Sequence, residues 1–295
     1  MTVQGQETMQ QVWDQQSVWS QSADRLKRLV ETSRSRALAL AVAAAVLGTA
    51  ASQVMSRNTW LGTGLAFVAA LAAGMSPLLA RRGGPTQMSD WIRTRAVSEA
   101  LKGEVYTCLS GAGPYADRAN AAAVLMERAD GFRANAADLV RHTAGVAPRS
   151  RALPPVSDVD TYIEHRLRQQ IETYYRPKAA WMQSRVDLLG KVELAFGAVG
   201  ALLAAAAGAF SVGGLAAWAA VIASVSITVT AHATAQRYAY QHLEFLRTTE
   251  ELQRLLDRRR TGPAPTGEST GVFVSQCEHV ISIQNEAWMI RWTVG

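Results

Sequence analysis

Only two cysteines, Cys108 and Cys277, occur in 295 residues, which excludes a disulfide-built scaffold. Neither has a neighbouring cysteine at zinc-ligand spacing, so both are expected to be small buried hydrophobes. The chain also lacks a Walker loop, a nucleophile elbow and an H-E-x-x-H helix, and its five histidines are scattered. No enzymatic activity, cofactor or metal is therefore expected. Sustained period-two alternation of strand formers is missing too, while helical periodicity is frequent. The most informative absence is charge, which disappears over long stretches.

From Ala37 to Ser56 there is no charged residue, and after Arg57 there is none from Asn58 to Ala80. Each gap is about 20 residues, the length of one bilayer crossing. Leu194 to Gln236 is also free of Asp, Glu, Lys and Arg. As one helix it would be roughly 60 Å long, too long for a single span. The paired glycines in Ser211-Val212-Gly213-Gly214 read as a turn that divides it into Leu194–Phe210 and Leu215–Ala235. The expected fold is thus an all-α integral membrane protein. Two transmembrane helical hairpins, four spans in all, carry long helices that extend into a cytoplasmic helical bundle.

What is present around those gaps sets the orientation. Arg25, Lys27, Arg28, Arg34 and Arg36 precede span one, and Arg81, Arg82, Arg93 and Arg95 follow span two. Arg176, Lys178, Arg185 and Lys191 precede span three, and Arg237, Arg247 and Arg254 follow span four. The tight turns hold only Arg57. By the positive-inside rule both termini are cytoplasmic, and Trp60 and Trp218 begin spans two and four at the outer interface. Basic flanks also account for the sequence pI near 9.6, so a nucleic-acid partner is not expected. The Gln-rich lead has no basic start, and no cleavable signal peptide is expected.

The expected segments are a polar N-terminal cytoplasmic stretch 1–36, the first hairpin 37–80, cytoplasmic helices 81–147 and a Pro-rich linker 148–157. A helix leading into span three follows over 158–193, then the second hairpin 194–235, a cytoplasmic helix 236–260, a linker 261–268 and a C-terminal amphipathic helix 269–295. Helical stripes support these assignments. Val97, Leu101, Val105 and Cys108 share a face, as do Leu125, Ala129, Phe132, Ala136 and Leu139. Tyr238, His242, Phe245, Thr249, Leu252 and Leu256 predict a seam on a helix running unbroken out of span four. Pro177 predicts a kink. Trp288 and Trp292 lie on the apolar face of the last helix, as packing residues or as membrane anchors.

Within the spans, polar side chains are the candidates for function. Thr49, Ser52 and Gln53 form a patch near the outer end of span one, and Ser224, Thr228 and His232 stack at i, i+4, i+8 in span four. These six are the candidate pore-lining residues. His232 is the one span residue that titrates readily near neutral pH. The hydroxyls have a second reading, because in lipid they also bond back to their own helix carbonyls. Small residues recur at Gly48 in span one and at Gly197, Ala201 and Ala205 in span three, where they permit close helix packing.

Four features together carry a family resemblance. They are Trp91-Ile92-Arg93-Thr94-Arg95-Ala96-Val97-Ser98-Glu99-Ala100-Leu101-Lys102 with Pro114-Tyr115; Tyr174-Tyr175-Arg176-Pro177-Lys178-Ala179; the four-span plan; and Phe273-Val274-Ser275-Gln276-Cys277-Glu278 with Asn285-Glu286-Ala287-Trp288 and Arg291-Trp292. The chain resembles the SLATT superfamily, the SMODS- and SLOG-associating two-transmembrane effector domains of bacteria, in a tandem form with one domain around each hairpin. The resemblance implies a pore-forming effector in the bacterial plasma membrane, with nucleotide-linked control coming from another protein. Joined to the small-residue rows, it gives the expected function: a homo-oligomeric ion channel or pore with a helical cytoplasmic vestibule. The expected partners are the lipid bilayer, further copies of the chain, permeating ions and a separate cytoplasmic regulatory protein. The alternative is a membrane-anchored helical scaffold or signalling protein that binds a cytoplasmic partner.

Overall fold

The computed structural model describes residues 3–210, 212–262 and 266–293, with the side chains of 3, 232, 235, 236 and 283–293 outside the description. Among the described residues every regular element is a helix. Four of these helices are long and apolar enough to cross a membrane. The order is α1 (Val3–Met55), α2 (Thr59–Arg82), α3 (Pro85–Ser110), α4 (Ala121–Ala134), α5 (Val159–Tyr162), α6 (Arg176–Phe210), α7 (Gly213–Gln236), α8 (Tyr238–Thr261) and α9 (Gly267–Thr293). Short 3-10 turns cover Gly113–Tyr115 and Ala137–His142, and π turns cover Ile163–Arg168 and Ile171–Tyr175. The chain divides into two compact units. One holds 1–28, 85–179 and 243–295, and the other holds 29–84 and 180–242.

The second unit contains the apolar hairpins. Asn58 ends the first turn by capping α2, accepting a hydrogen bond from the Leu61 amide at 3.1 Å. The hairpin closes on small residues, with Ala51, Ala69 and Ala72 buried. Gly62 is there because α1 leaves no room: a Cβ on it would lie 2.7 Å from Met55 Cα. At the far end the Ser76 hydroxyl donates to the Ala37 carbonyl at 2.9 Å, and Arg34 Nε to the Gly83 carbonyl at 3.0 Å. The outward faces are apolar, with Trp60 91% and Phe67 65% exposed, as a lipid-facing surface requires.

Two expectations change here. Gly213 and Gly214 do not form the second turn themselves. α7 already starts at Gly213 with Val212 as its N-cap, and Ser211 lies outside the described residues. The helix does not run unbroken from span four, because Arg237 takes a left-handed conformation (φ 51) that ends α7 and starts α8 afresh. Pro177 occupies the second position of α6, where the two π turns precede it. A proline lacks the N–H and crowds the carbonyl four residues back. A widened turn ahead of it adjusts the local bonding at that point.

The first unit is built on α3, whose Met88, Ile92, Leu101, Val105 and Cys108 are buried. α3 ends where expected, at Gly111 and Gly113, both with positive φ. α9 packs on it through Phe273, Val274, Cys277 and Ile281. The Gln-rich lead is structured as the first part of α1, and its polarity has a purpose. Gln21 Nε2 donates to the Ala147 carbonyl at 2.9 Å, Gln10 Nε2 to the Arg151 carbonyl at 3.1 Å and Trp13 Nε1 to the Ala152 carbonyl at 3.1 Å. The Arg149 amide donates to Ser17 Oγ at 2.9 Å. The Pro-rich linker thus satisfies its backbone groups on the side chains of α1, since it makes no regular backbone ladder of its own. The Arg151 guanidinium covers the Trp13 ring at 3.7 Å.

Candidate functional site

The polar residues of the spans lie in the hairpin unit, at the ends and along the faces of α1 and α7. Ser52 and Gln53 are exposed on α1 and Thr49 is half-buried. The Ser52 hydroxyl donates to the Thr49 carbonyl at 2.8 Å. Gln53 approaches the start of α7, where a Cβ on Gly214 would lie 3.2 Å from its Oε1. On α7 the Ser224 hydroxyl donates to the Ala220 carbonyl at 2.9 Å and the Thr228 hydroxyl to the Ser224 carbonyl at 2.8 Å. Both are satisfied by their own helix, as Thr234 is by Thr230 at 2.9 Å. Thr230 differs: its hydroxyl donates to Glu193 Oε1 on α6 at 2.5 Å. The His232 side chain is outside the described residues, so its place in the stripe is not fixed.

The small-residue rows separate in the same unit. Gly48 faces α2, with Ala69 Cβ 3.9 Å from where its own Cβ would be. Gly197, Ala201 and Ala205 are exposed, and no atom lies within 4 Å of a Cβ placed on Gly197. On α6 it is Gly200 that comes close to α7, where a Cβ on it would lie 3.4 Å from Ile222 Cγ2, and on α7 Val221 and Val225 are buried. Gly200 carries no mark in a row read at i, i+4, and only the relative rotation of the two helices selects it.

Sequence reading missed a second polar centre, buried in the other unit. Arg166, in the first π turn and 1% exposed, donates from Nε to Glu278 Oε1 at 2.9 Å and from Nη2 to Oε2 at 2.8 Å. The Tyr162 hydroxyl donates to Glu278 Oε1 at 2.9 Å, and the guanidinium lies over the Tyr106 ring at 4.9 Å. Arg166 Nη1 is buried with no hydrogen-bond partner among the described residues. Burial disfavours the guanidinium charge, but Glu278 outweighs it and holds the Arg166 pKa above its ordinary value. Gly103 makes the pair possible, since a Cβ there would come within 2.8 Å of Glu278 Oε2. Around this pair lie Glu99, bridged by Arg95 at 3.1 Å, and Lys102, whose pKa burial lowers to about 8 against the pull of Glu99. Burial also pushes the Cys108 thiol up to about 11, so it is unreactive, and the Cys277 thiol up as well. No metal-binding group of three His, Cys, Asp or Glu residues occurs among the described residues.

The signal for this centre was present but unreadable. Arg166 and Glu278 are 112 positions apart, and each looks like an ordinary solvated charge on an amphipathic helix. Only the glycine at 103, inside an otherwise regular helical face, hinted at a close approach.

Known families divide the chain between its hairpins. The family described as protein of unknown function DUF4231 matches residues 17–123, which take in the first hairpin and α3 with its Trp91–Lys102 stretch. The family described as SMODS and SLOG-associating 2TM effector domain 1 matches residues 162–288. No curated protein and no solved structure matches the chain. The expectation of one domain around each hairpin thus holds with a different family description for each. The second match opens at Tyr162, contains the hairpin of α6 and α7, and includes Glu278, so the buried pair ties its two ends together. Residues 162–288, the second hairpin with the helices on either side of it, are thus similar to the SMODS and SLOG-associating two-transmembrane effector domains.

Proposed function

We propose that the chain is a homo-oligomeric ion channel or pore-forming effector of the bacterial plasma membrane, with both termini cytoplasmic. The carrying observation is the exposed small-residue face of α6. Gly197, Ala201 and Ala205 are exposed, and among the described residues nothing lies within 4 Å of a Cβ placed on Gly197, whereas one on Gly200 would lie 3.4 Å from Ile222 Cγ2. In lipid, such a face gains most from contact with another helix at short range, and a closed ring of copies satisfies it on every subunit. The polar residues then have an axis to face, with Gln53 and the α7 stripe of Ser224, Thr228 and His232 as lining. Permeating ions and a separate cytoplasmic regulator remain the proposed partners.

The test is subunit count in nanodiscs by native mass spectrometry. Wild type should give one closed oligomer, and Ala205→Leu should shift it towards monomer. A monodisperse wild-type monomer would overturn the proposal. The scaffold reading keeps one observation in its favour, the self-satisfied hydroxyls of Ser224 and Thr228. It predicts oligomers that pass no ions.

A further inference from the structure

We infer that Arg185 and Trp181, braced by Tyr238, hold the headgroup of an anionic phospholipid where α6 leaves the membrane. The three side chains lie within the unit of 29–84 and 180–242. The Arg185 guanidinium covers the Trp181 ring at 4.8 Å, and that ring meets the Tyr238 ring edge-on at 6.0 Å.

Depth selects the occupant. A hydrocarbon core about 30 Å thick takes about 20 residues of helix. Counted back from Phe210, the end of α6, the core reaches to the neighbourhood of Gly190. Arg185 then stands about 8 Å further out, level with the headgroups, which add about 5–8 Å to each face of a bilayer. Apolar surface continues from there into the span. Leu188, Val199 and Leu202 follow Arg185 on one face of α6 at helical spacing, and they are 50%, 44% and 71% exposed. A lipid lying against α6 thus meets carbon along its acyl chain and a guanidinium at its phosphate.

Charge agrees with depth. Among the described residues Arg185 donates no hydrogen bond and makes no ion pair, and its guanidinium rests on the indole instead. Two acids stand in the same region, and neither takes it. Asp187 is about 200° round the helix from Arg185, and it accepts from Gln183 Nε2 at 2.8 Å. Glu31 of α1 and Arg185 act in opposite senses on the Tyr238 hydroxyl, without an ion pair between them. A guanidinium with one face on an indole keeps its edge open, and that edge matches two phosphate oxygens at once. A zwitterionic headgroup brings its own cation to the same place, so the anionic headgroup is favoured. This assignment rests on α6 crossing the bilayer and not on ion passage.

The full-length protein should be reconstituted in nanodiscs of equal parts phosphatidylglycerol and phosphatidylcholine. Native mass spectrometry of the released protein should then show phosphatidylglycerol retained in preference. Arg185→Gln should lower that preference about fivefold, the worth of one arginine at an anionic surface, with the melting temperature unchanged. Arg57→Gln, in the turn of the first hairpin, should retain lipid as wild type does. A phosphatidylglycerol with a diazirine beside its headgroup should label 181–188 of the wild-type protein, and this decides the matter where Arg185→Gln does not fold. Glycerol phosphate should not compete, which separates a lipid from a free phosphate ester. Equal retention of the two lipids, full preference in folded Arg185→Gln, or an equal loss in Arg57→Gln would overturn the inference. So would displacement by glycerol phosphate, or labelling confined to other segments.

Discussion

At the residue scale, the Arg166–Glu278 pair dominates the unit outside the hairpins. A buried ion pair offsets its own desolvation only when geometry is good and its remaining polar atoms are satisfied. Here two hydrogen bonds and a tyrosine hydroxyl serve Glu278. Glu278→Leu should therefore destabilise by about 3–5 kcal/mol, because it leaves a buried guanidinium alone. Adding Arg166→Met should restore most of that loss. A double variant as unstable as the single one in a fluorescence-detected melt would mean the pair is not the coupled element. Lys102 carries a different expectation. Its pKa is lowered to about 8 by burial, so between pH 8 and its ordinary value near 10.4 the unfolded chain binds the extra proton. Stability at this residue thus rises with pH across that window, and the cost of the buried charge is fully present below it. Lys102→Met should raise the melting temperature at pH 7 and reduce the gain seen between pH 7 and 9.5. An unchanged slope would remove Lys102 from the account.

At the element scale, what could be read from sequence was what depends on neighbours along one helix. Span one and span two follow from the charge gaps at 37–56 and 58–80, and the structure turns at 56–58 between α1 and α2. The end of α3 was equally legible, because Gly111 and Gly113 take the positive φ that other residues resist. What stayed hidden depends on two helices at once. Arg237 has an unremarkable side chain and breaks the helix through backbone conformation alone. The choice of Gly200 rather than Gly197 for the α7 contact depends on how α6 is rotated. Gly62 is the sharpest case, with Met55 Cα 2.7 Å from its missing Cβ, whereas Gly64, on the same helix, has nothing within 4 Å. Gly62→Ala should accordingly cost about 1–3 kcal/mol by overpacking the hairpin. Gly64→Ala should be neutral or slightly stabilising. Equal effects of the two substitutions on thermal melting would contradict the packing described for α1 and α2.

At the scale of the whole molecule, two hairpins and a separate helical unit share four crossings of the chain, at 28/29, 84/85, 179/180 and 242/243. In the proposed topology the excess of Lys and Arg at the hairpin bases, against a single Arg57 in the turns, keeps both termini on the cytoplasmic side. A cysteine introduced at Asn58 should react with a membrane-impermeant maleimide added outside intact cells, and one introduced at Val272 should react only after lysis. Labelling of both from outside would reverse or abolish this topology. The candidate site was legible as a set of polar and small residues in apolar helices. Their partners were not, because satisfaction of a hydroxyl by its own helix or by Glu193 is a matter of rotamer and helix rotation rather than of sequence spacing.

The central claim is that copies of this membrane effector enclose a path for ions, and electrical recording from planar bilayers tests it most directly. Purified protein should give discrete current steps. If His232 lines the path as proposed, cation current should fall on acidification as histidine gains a proton, and His232→Ala should flatten that response. Silent bilayers at every voltage and pH, with oligomers verified in the same membrane, would contradict the account and leave the membrane-anchored scaffold in its place.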